Sequence, residues 1–258
     1  MTFVDEQLDR IAPLWERMLS HRFLTDTRDG RIVREDFANW MRQDYLFVEA
    51  AIPFIGVLVG RAPDAHRGAL GQVIGALERE LAIFRERAGA AGVSLGEIPP
   101  SFTCHAYVQF LMSTAYRASY PGAFTVLWAA ERAYLDSWKV VAEGLDPSSP
   151  WMPFVENWTG DDFAAYVAWL EEELEGLAST AGPREREEMA GLLELTVLYE
   201  IAFWDMALTG DGWPGAGEWR PPPRGATGEE REAVGDEAVA DAGVRAWEGV
   251  VTPGRSGR

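Results

Sequence analysis

The chain has 258 residues, 47% of them apolar, with eleven tryptophans, one cysteine and a formal net charge of −18. That length holds one large domain or two small ones around a substantial core. The charge disfavours a nucleic-acid partner, whose phosphates are met by clustered Lys and Arg, because Arg61, Arg67, Arg79, Arg85 and Arg87 are interleaved with acids and Cys104, the lone cysteine, leaves no intrachain disulfide.

The N-terminus, Met1-Thr2-Phe3-Val4-Asp5-Glu6, is acidic and lacks the basic and apolar regions of a secretion signal. With a single thiol this predicts a cytoplasmic address. No continuous apolar run approaches the roughly 18 residues of a membrane span, so no membrane partner is expected. The first helix is predicted over 3–19, with Leu8, Ile11, Leu14, Trp15, Met18 and Leu19 at helical spacing. Residues 22–33 read as irregular, with a turn at Asp29-Gly30. Long helices follow over 35–60 and 65–91. After Pro99-Pro100, Ser101 is a natural N-cap for a helix through Tyr116. Pro121-Gly122 reads as a break before a helix over 123–144. Another helix starts at Thr159 or Asp161 and runs to Leu177. Pro183 fits the first turn of a last long helix ending near Gly210.

No stretch alternates as a strand does, and the helices carry broad apolar faces, so the chain reads as an all-α bundle. The ordered helical domain is assigned to 1–209. Residues 210–258, acidic and rich in Gly and Pro, read as a disordered tail with at most a weak helix over 229–250.

Three helices place an acid among aromatic rings. Phe47 follows Asp44 by three positions; Trp128 and Tyr134 flank Glu131 at minus and plus three; Phe203 and Trp204 share the face of Glu200. A carboxylate so placed loses water, its pKa rises, and it is suited to acid–base work near neutral pH. A flat, nitrogen-rich ring is the matching ligand, stacking on aromatics while its amino groups donate to carboxylates. Each acid also has a structural reading: Asp44 paired with Arg42 or with a neighbouring helix, Glu131 in the surroundings of Arg132 or solvated, Glu200 held in an apolar helix. Tyr107 reads more readily as a core or hydrogen-bonded tyrosine than as a ligand contact, and Cys104 as an inert thiol. The only histidines are His21, His66 and His105; none stands in a Glu-x-x-His pair, so no metal site and no cofactor are expected.

At these residues the chain resembles the TenA (thiaminase II, TENA/THI-4/PQQC) family. The matching blocks are Trp15 with His21-Arg22-Phe23-Leu24, Asp29-Gly30, Phe37, Trp40 and Gln43-Asp44-Tyr45, then Tyr107 with Phe110-Leu111, and Tyr199-Glu200-Ile201-Ala202-Phe203-Trp204. They extend from about Leu14 to Ala207. The resemblance implies a haem-oxygenase-like helical bundle and a pocket for an aminopyrimidine. Thiamine-cleaving members carry a nucleophilic cysteine on the fifth helix in a Pro-Cys-x-Trp-x-Tyr setting. Here Thr125 stands at the cysteine position and Ala129 at the tyrosine position, while Trp128-Ala129-x-Glu131-x-x-Tyr134 and 157–163 are similar to the cysteine-lacking E-type branch.

That likeness implies a salvage hydrolase converting aminomethyl- or formamidomethyl-aminopyrimidine to the hydroxymethyl form. Glu200 and Glu131 would be catalytic; Asp44 would hold the amino group and a ring nitrogen; Phe47, Tyr107, Thr125, Trp128, Trp158 and Tyr199 would contact substrate. It also implies a homodimer or homotetramer. A non-catalytic aminopyrimidine binder or regulator on the same fold is the other reading.

Overall fold

The computed structural model describes residues 1–95, 99–215 and 246–250. Among these residues there are ten helices and no strand: α1 (Phe3–Arg10), α2 (Ala12–Leu19), α3 (Arg22–Arg28), α4 (Arg34–Arg61), α5 (Asp64–Ala90), α6 (Phe102–Arg117), α7 (Tyr120–Ala142), α8 (Met152–Thr159), α9 (Asp161–Thr180) and α10 (Pro183–Thr209). The expected all-α bundle is present.

Local chemistry explains where the boundaries differ from expectation. The predicted first helix is two, because Pro13 supplies no N–H and sits in the first turn of α2. Residues 22–28, read as irregular, are helical because the His21 Nδ1 accepts from the Phe23 N–H at 3.1 Å and caps the turn. Pro121 does not break the chain. It occupies the first turn of α7, where its missing N–H costs nothing, and Ser119 caps the helix by accepting from Gly122 N–H at 3.1 Å. Ser101 caps α6 as its position suggests, accepting from Cys104 N–H at 3.0 Å. The last helix stops at Gly210, whose φ of +62° is open to glycine, and whose N–H donates to Met206 O at 2.8 Å.

Helix α7 lies at the centre, against α10, α9, α8 and α3, while α4 packs on α5, α6 and α10. Gly122 eases this approach: a Cβ there would meet Leu192 Cδ1 of α10 at 3.0 Å, and that side chain would have to give way. By length and composition α4 is apolar enough to cross a membrane, despite its interrupted apolar run. In this bundle Phe37, Trp40, Met41, Phe54 and Leu58 on it are buried against the neighbouring helices.

The core beside the future site is aromatic. Trp138 stacks on Trp158 at 5.2 Å, Trp40 meets Trp138 edge-on at 5.0 Å, and Phe23 stacks on Trp204 at 5.2 Å. Such pairs contribute about 1 kcal/mol each beyond the area they bury. Their larger effect here is positional, because locked rings fix the polar groups that project from between them.

The tail differs from expectation at two places. Asp211 accepts from both the backbone N–H and the hydroxyl of Thr103, at 3.1 and 2.7 Å, and the Trp213 indole donates to Pro100 O at 3.1 Å. Ala246, Trp247 and Val250 are buried against the bundle. Side-chain anchors thus place these stretches where composition alone suggests none. The disorder expected of the rest of the tail, and most of the weak helix at 229–250, fall outside the described residues.

Candidate active site

Four carboxylic acids lie inside the bundle: Asp44, Glu80 and Glu200 are buried and Glu131 is half-buried. Asp44 (α4), Glu80 (α5) and Glu131 (α7) line a single cavity with an empty volume of about 560 Å³ including its opening to solvent. Glu200 (α10) is buried nearby. Phe47, Tyr134, Trp158 and Trp247 provide rings on the cavity wall, and Val48, Phe54, Leu77 and Leu111 are among its apolar lining.

Each acid is held by a donor. The Tyr134 hydroxyl donates to Asp44 Oδ1, leaving Oδ2 buried without a partner. The Tyr107 hydroxyl donates to Glu200 Oε1 at 2.5 Å, and Glu200 Oε2 is likewise partner-free. The Tyr166 hydroxyl lies 3.4 Å from Glu131 Oε1. Glu80 Oε2 accepts from Asn157 Nδ2 at 3.3 Å and from the Trp247 indole N–H at 3.1 Å. A buried polar atom with no partner is expensive, so Oδ2 of Asp44 and Oε2 of Glu200 are open to a ligand's polar group.

Burial dominates the electrostatics. It pushes Glu200 up to about 8 against the opposing Tyr107 hydrogen bond. It pushes Glu80 up to about 7 against Asn157, Trp247 and Trp158. Burial also drives Asp44 well above the ordinary carboxylate range, opposed by Tyr134 and reinforced by Glu80 and Glu200. Glu131 rises for the same first reason, then through the neighbouring Glu80. Four acids in one dry region cannot all ionise, so near neutral pH the site holds protons it can give.

The arginine pairings read for two acids do not form. Arg42 pairs with Glu35 at 2.6 Å, not with Asp44. Arg132 pairs with Asp136 and Glu171 at 2.9 and 2.7 Å and leaves Glu131 to the interior.

The expected site residues separate into groups. Asp44, Phe47, Glu131 and Trp158 line the cavity. Tyr107, Tyr199 and Glu200 form a layer beside it. Phe47 packs on Tyr107 at 4.7 Å between ring centres, and Tyr107 stacks on Tyr199 at 4.9 Å. Thr125 and Trp128 are buried but outside the cavity lining, and the Thr125 hydroxyl donates to Pro121 O at 2.8 Å within its own helix. On α7 the inward face is Val126, Leu127, Ala130, Glu131 and Tyr134, two rows spaced three to four apart that leave out 125 and 128.

Sequence reasoning did not nominate Glu80 or Trp247, and treated Tyr134 only as a neighbour of Glu131. Tyr134 was within reach, since it lies one turn beyond that acid. Glu80 offered little, standing in Glu78-Arg79-Glu80, which reads as a solvated run. Among the described residues no group of three His, Cys, Asp or Glu is arranged to hold a metal ion.

Comparison with known proteins places this architecture. A family model for TENA/THI-4/PQQC matches residues 8–210. A probable bifunctional TENA-E protein of Glycine max is 27% identical over 201 residues, covering 75% of this chain and 88% of that protein. An aminopyrimidine aminohydrolase of Halalkalibacterium halodurans is 25% identical over 222 residues, covering 83% and 98%. Among solved structures, a TenA homologue from Pyrococcus furiosus superposes with a TM-score of 0.77 at 32% identity, covering 80% of this chain and 99% of that one. A Shewanella denitrificans domain with a heme oxygenase-like fold gives 0.66 at 14% identity, covering 80% and 92%, which bears on fold alone. The bundle is haem-oxygenase-like, and the chain belongs to the TENA/THI-4/PQQC family.

Proposed function

We propose that this protein is a thiamine-salvage hydrolase that converts an aminomethyl- or formamidomethyl-aminopyrimidine to the hydroxymethyl pyrimidine, using carboxylic acids instead of a cysteine nucleophile. The observation that carries the reading is the partner-free Oδ2 of Asp44 on a ring-lined cavity. Oδ2 is left to meet the ring nitrogen, and Oδ1, which accepts from Tyr134 on one lone pair, has a second for the adjacent amino group. A neutral carboxyl suits that edge, giving its proton to the ring nitrogen and accepting from the amine. Phe47 and Trp158 would stack on the ring.

In this reaction the bond between the methylene carbon and its nitrogen breaks and a C–O bond to water forms, releasing ammonia from the aminomethyl substrate or formamide from the formamidomethyl one. Glu200, with a pKa of about 8, is protonated at neutral pH and supplies the leaving nitrogen with a proton. Glu131, on the cavity wall, is the second acid, placed to take a proton from the attacking water once ionised. The only cysteine, Cys104, is buried on α6, and its thiol donates to Gln43 O at 3.4 Å. Thiolate attack is therefore left without a group on the cavity wall. This agrees with an E-type assignment, and the relatives named aminopyrimidine aminohydrolase support the substrate class.

Incubating the protein with each pyrimidine and following the hydroxymethyl product by mass spectrometry tests the reading. Product from either substrate, lost in Glu200→Gln and Glu131→Gln, is expected. Tight binding without turnover would replace it with a pyrimidine-binding role; neither binding nor turnover would refute both.

A further inference from the structure

The family match ends at residue 210, yet one wall of the cavity comes from beyond it. Trp247 is 2% exposed. Its indole stacks on Tyr166 of α9 with ring centres 4.8 Å apart and planes 17° apart, and packs on Phe163 at 4.9 Å. The preceding carbonyl, of Ala246, accepts from Arg79 Nε at 2.8 Å. Trp247 therefore arrives with both its backbone and its ring anchored, and its N–H reaches Glu80 Oε2.

Those contacts link the segment to two acids. It holds Glu80 directly, and it stacks on the tyrosine whose hydroxyl lies beside Glu131. Glu80 is also the first-ranked charged neighbour raising both Asp44 and Glu131. It is the buried acid to which no role has been assigned above.

We propose that Trp247 and Glu80 form the specificity wall of the cavity, with Trp247 limiting the size of the substituent carried by the pyrimidine and Glu80 accepting a hydrogen bond from it. The proposal rests on the aminopyrimidine reading: with Asp44 on the amino edge of the ring, the substituent is the part left to meet the remaining acids. A compact aminomethyl group fits against the indole and donates to Glu80. A formamidomethyl group is larger by a formyl and is selected against.

The test compares full-length wild type, Trp247→Ala and Trp247→Phe by kcat/KM on aminomethyl- and formamidomethyl-aminopyrimidine. Trp247→Ala is expected to shift the ratio at least ten-fold toward the formamidomethyl substrate. Trp247→Phe keeps a ring and is expected to hold the ratio within two-fold. It also removes the indole N–H that favours ionised Glu80, so the pH dependence of KM should move upward. A wild-type ratio and an unmoved pH dependence in both variants would overturn the proposal.

A ligand-free arm separates this failure from failure of the proposed function. Ala130 lines the cavity, and Ala130→Cys can be alkylated with iodoacetamide and mapped by peptide mass, apart from buried Cys104. Adding Trp247→Ala is expected to speed labelling at least ten-fold, even if no pyrimidine is turned over. Unchanged labelling means that Trp247 closes nothing, and overturns the wall on its own.

Discussion

Replacing Glu200 by glutamine separates what the site needs for chemistry from what the fold would prefer. In the folded protein the Glu200 carboxyl is fully buried and is pushed up to about 8; its ordinary value is 4.5. An acid raised in this way is neutral when folded and ionises on unfolding. Its favourable term is therefore complete at low pH and is lost as pH rises from 4.5 through about 8. Integrating the proton linkage for those two values gives a loss of about 4 kcal/mol between pH 5 and pH 8.5. Glutamine is nearly isosteric, keeps an oxygen to accept from Tyr107, and cannot ionise, so this loss disappears. Its amide introduces one unpaired buried donor, which costs about 1–3 kcal/mol at every pH. The variant should be slightly less stable than wild type at pH 5, and about 1–3 kcal/mol more stable at pH 8.5, while its turnover falls at least 100-fold. Urea denaturation of both proteins at pH 5, 7 and 8.5, with equal m-values, measures the difference. A stability difference that is the same at pH 5 and pH 8.5 would show that Glu200 is not carrying a raised pKa, and would remove the basis for its acid role.

Asp44→Asn should weaken hydroxymethyl aminopyrimidine binding by about 10–100-fold in calorimetry, since a carboxyl proton donor is replaced by an amide with a different donor pattern. Tyr107→Phe removes the donor that favours ionised Glu200. The alkaline limb of the pH–rate profile should move above about 8, measured as kcat/KM from pH 6 to 10, with a stability loss of about 1–3 kcal/mol from the orphaned carboxyl. Thr125→Ala should leave kcat within two-fold and cost about 1 kcal/mol in urea denaturation, because its hydroxyl serves only Pro121 O. A large loss of turnover in that variant would reinstate Thr125 as a substrate contact.

The residues differ in how openly they declared themselves. Helical periodicity, the cap at Ser101 and the stop at Gly210 are local properties, and they set the bundle without reference to anything distant. Asp44, Glu131 and Glu200 were visible because each lies among rings within one helical turn. The inward face of α7 was not visible: Ala123 to Ala129 are all buried, so no polar stripe marks which side meets the cavity. Thr125, Trp128 and Glu131 therefore all read as site residues until the cavity divided them.

The sequence by itself determined the helices, the broad apolar faces that require a bundle, and the acid–aromatic clusters. Those follow from interactions between residues three and four apart. Only the tertiary structure decided which acids share one dry cavity, because desolvation depends on what every other helix covers. Glu80 stands among charged neighbours in the chain and becomes a buried acid when α5 meets Asn157 and Trp247. Trp247 itself lies beyond a polar, Gly- and Pro-rich stretch and acquires its place from contacts with Arg79, Glu80 and Tyr166. A contact between positions 80 and 247 has no local signature, so its energy enters only once the chain has folded.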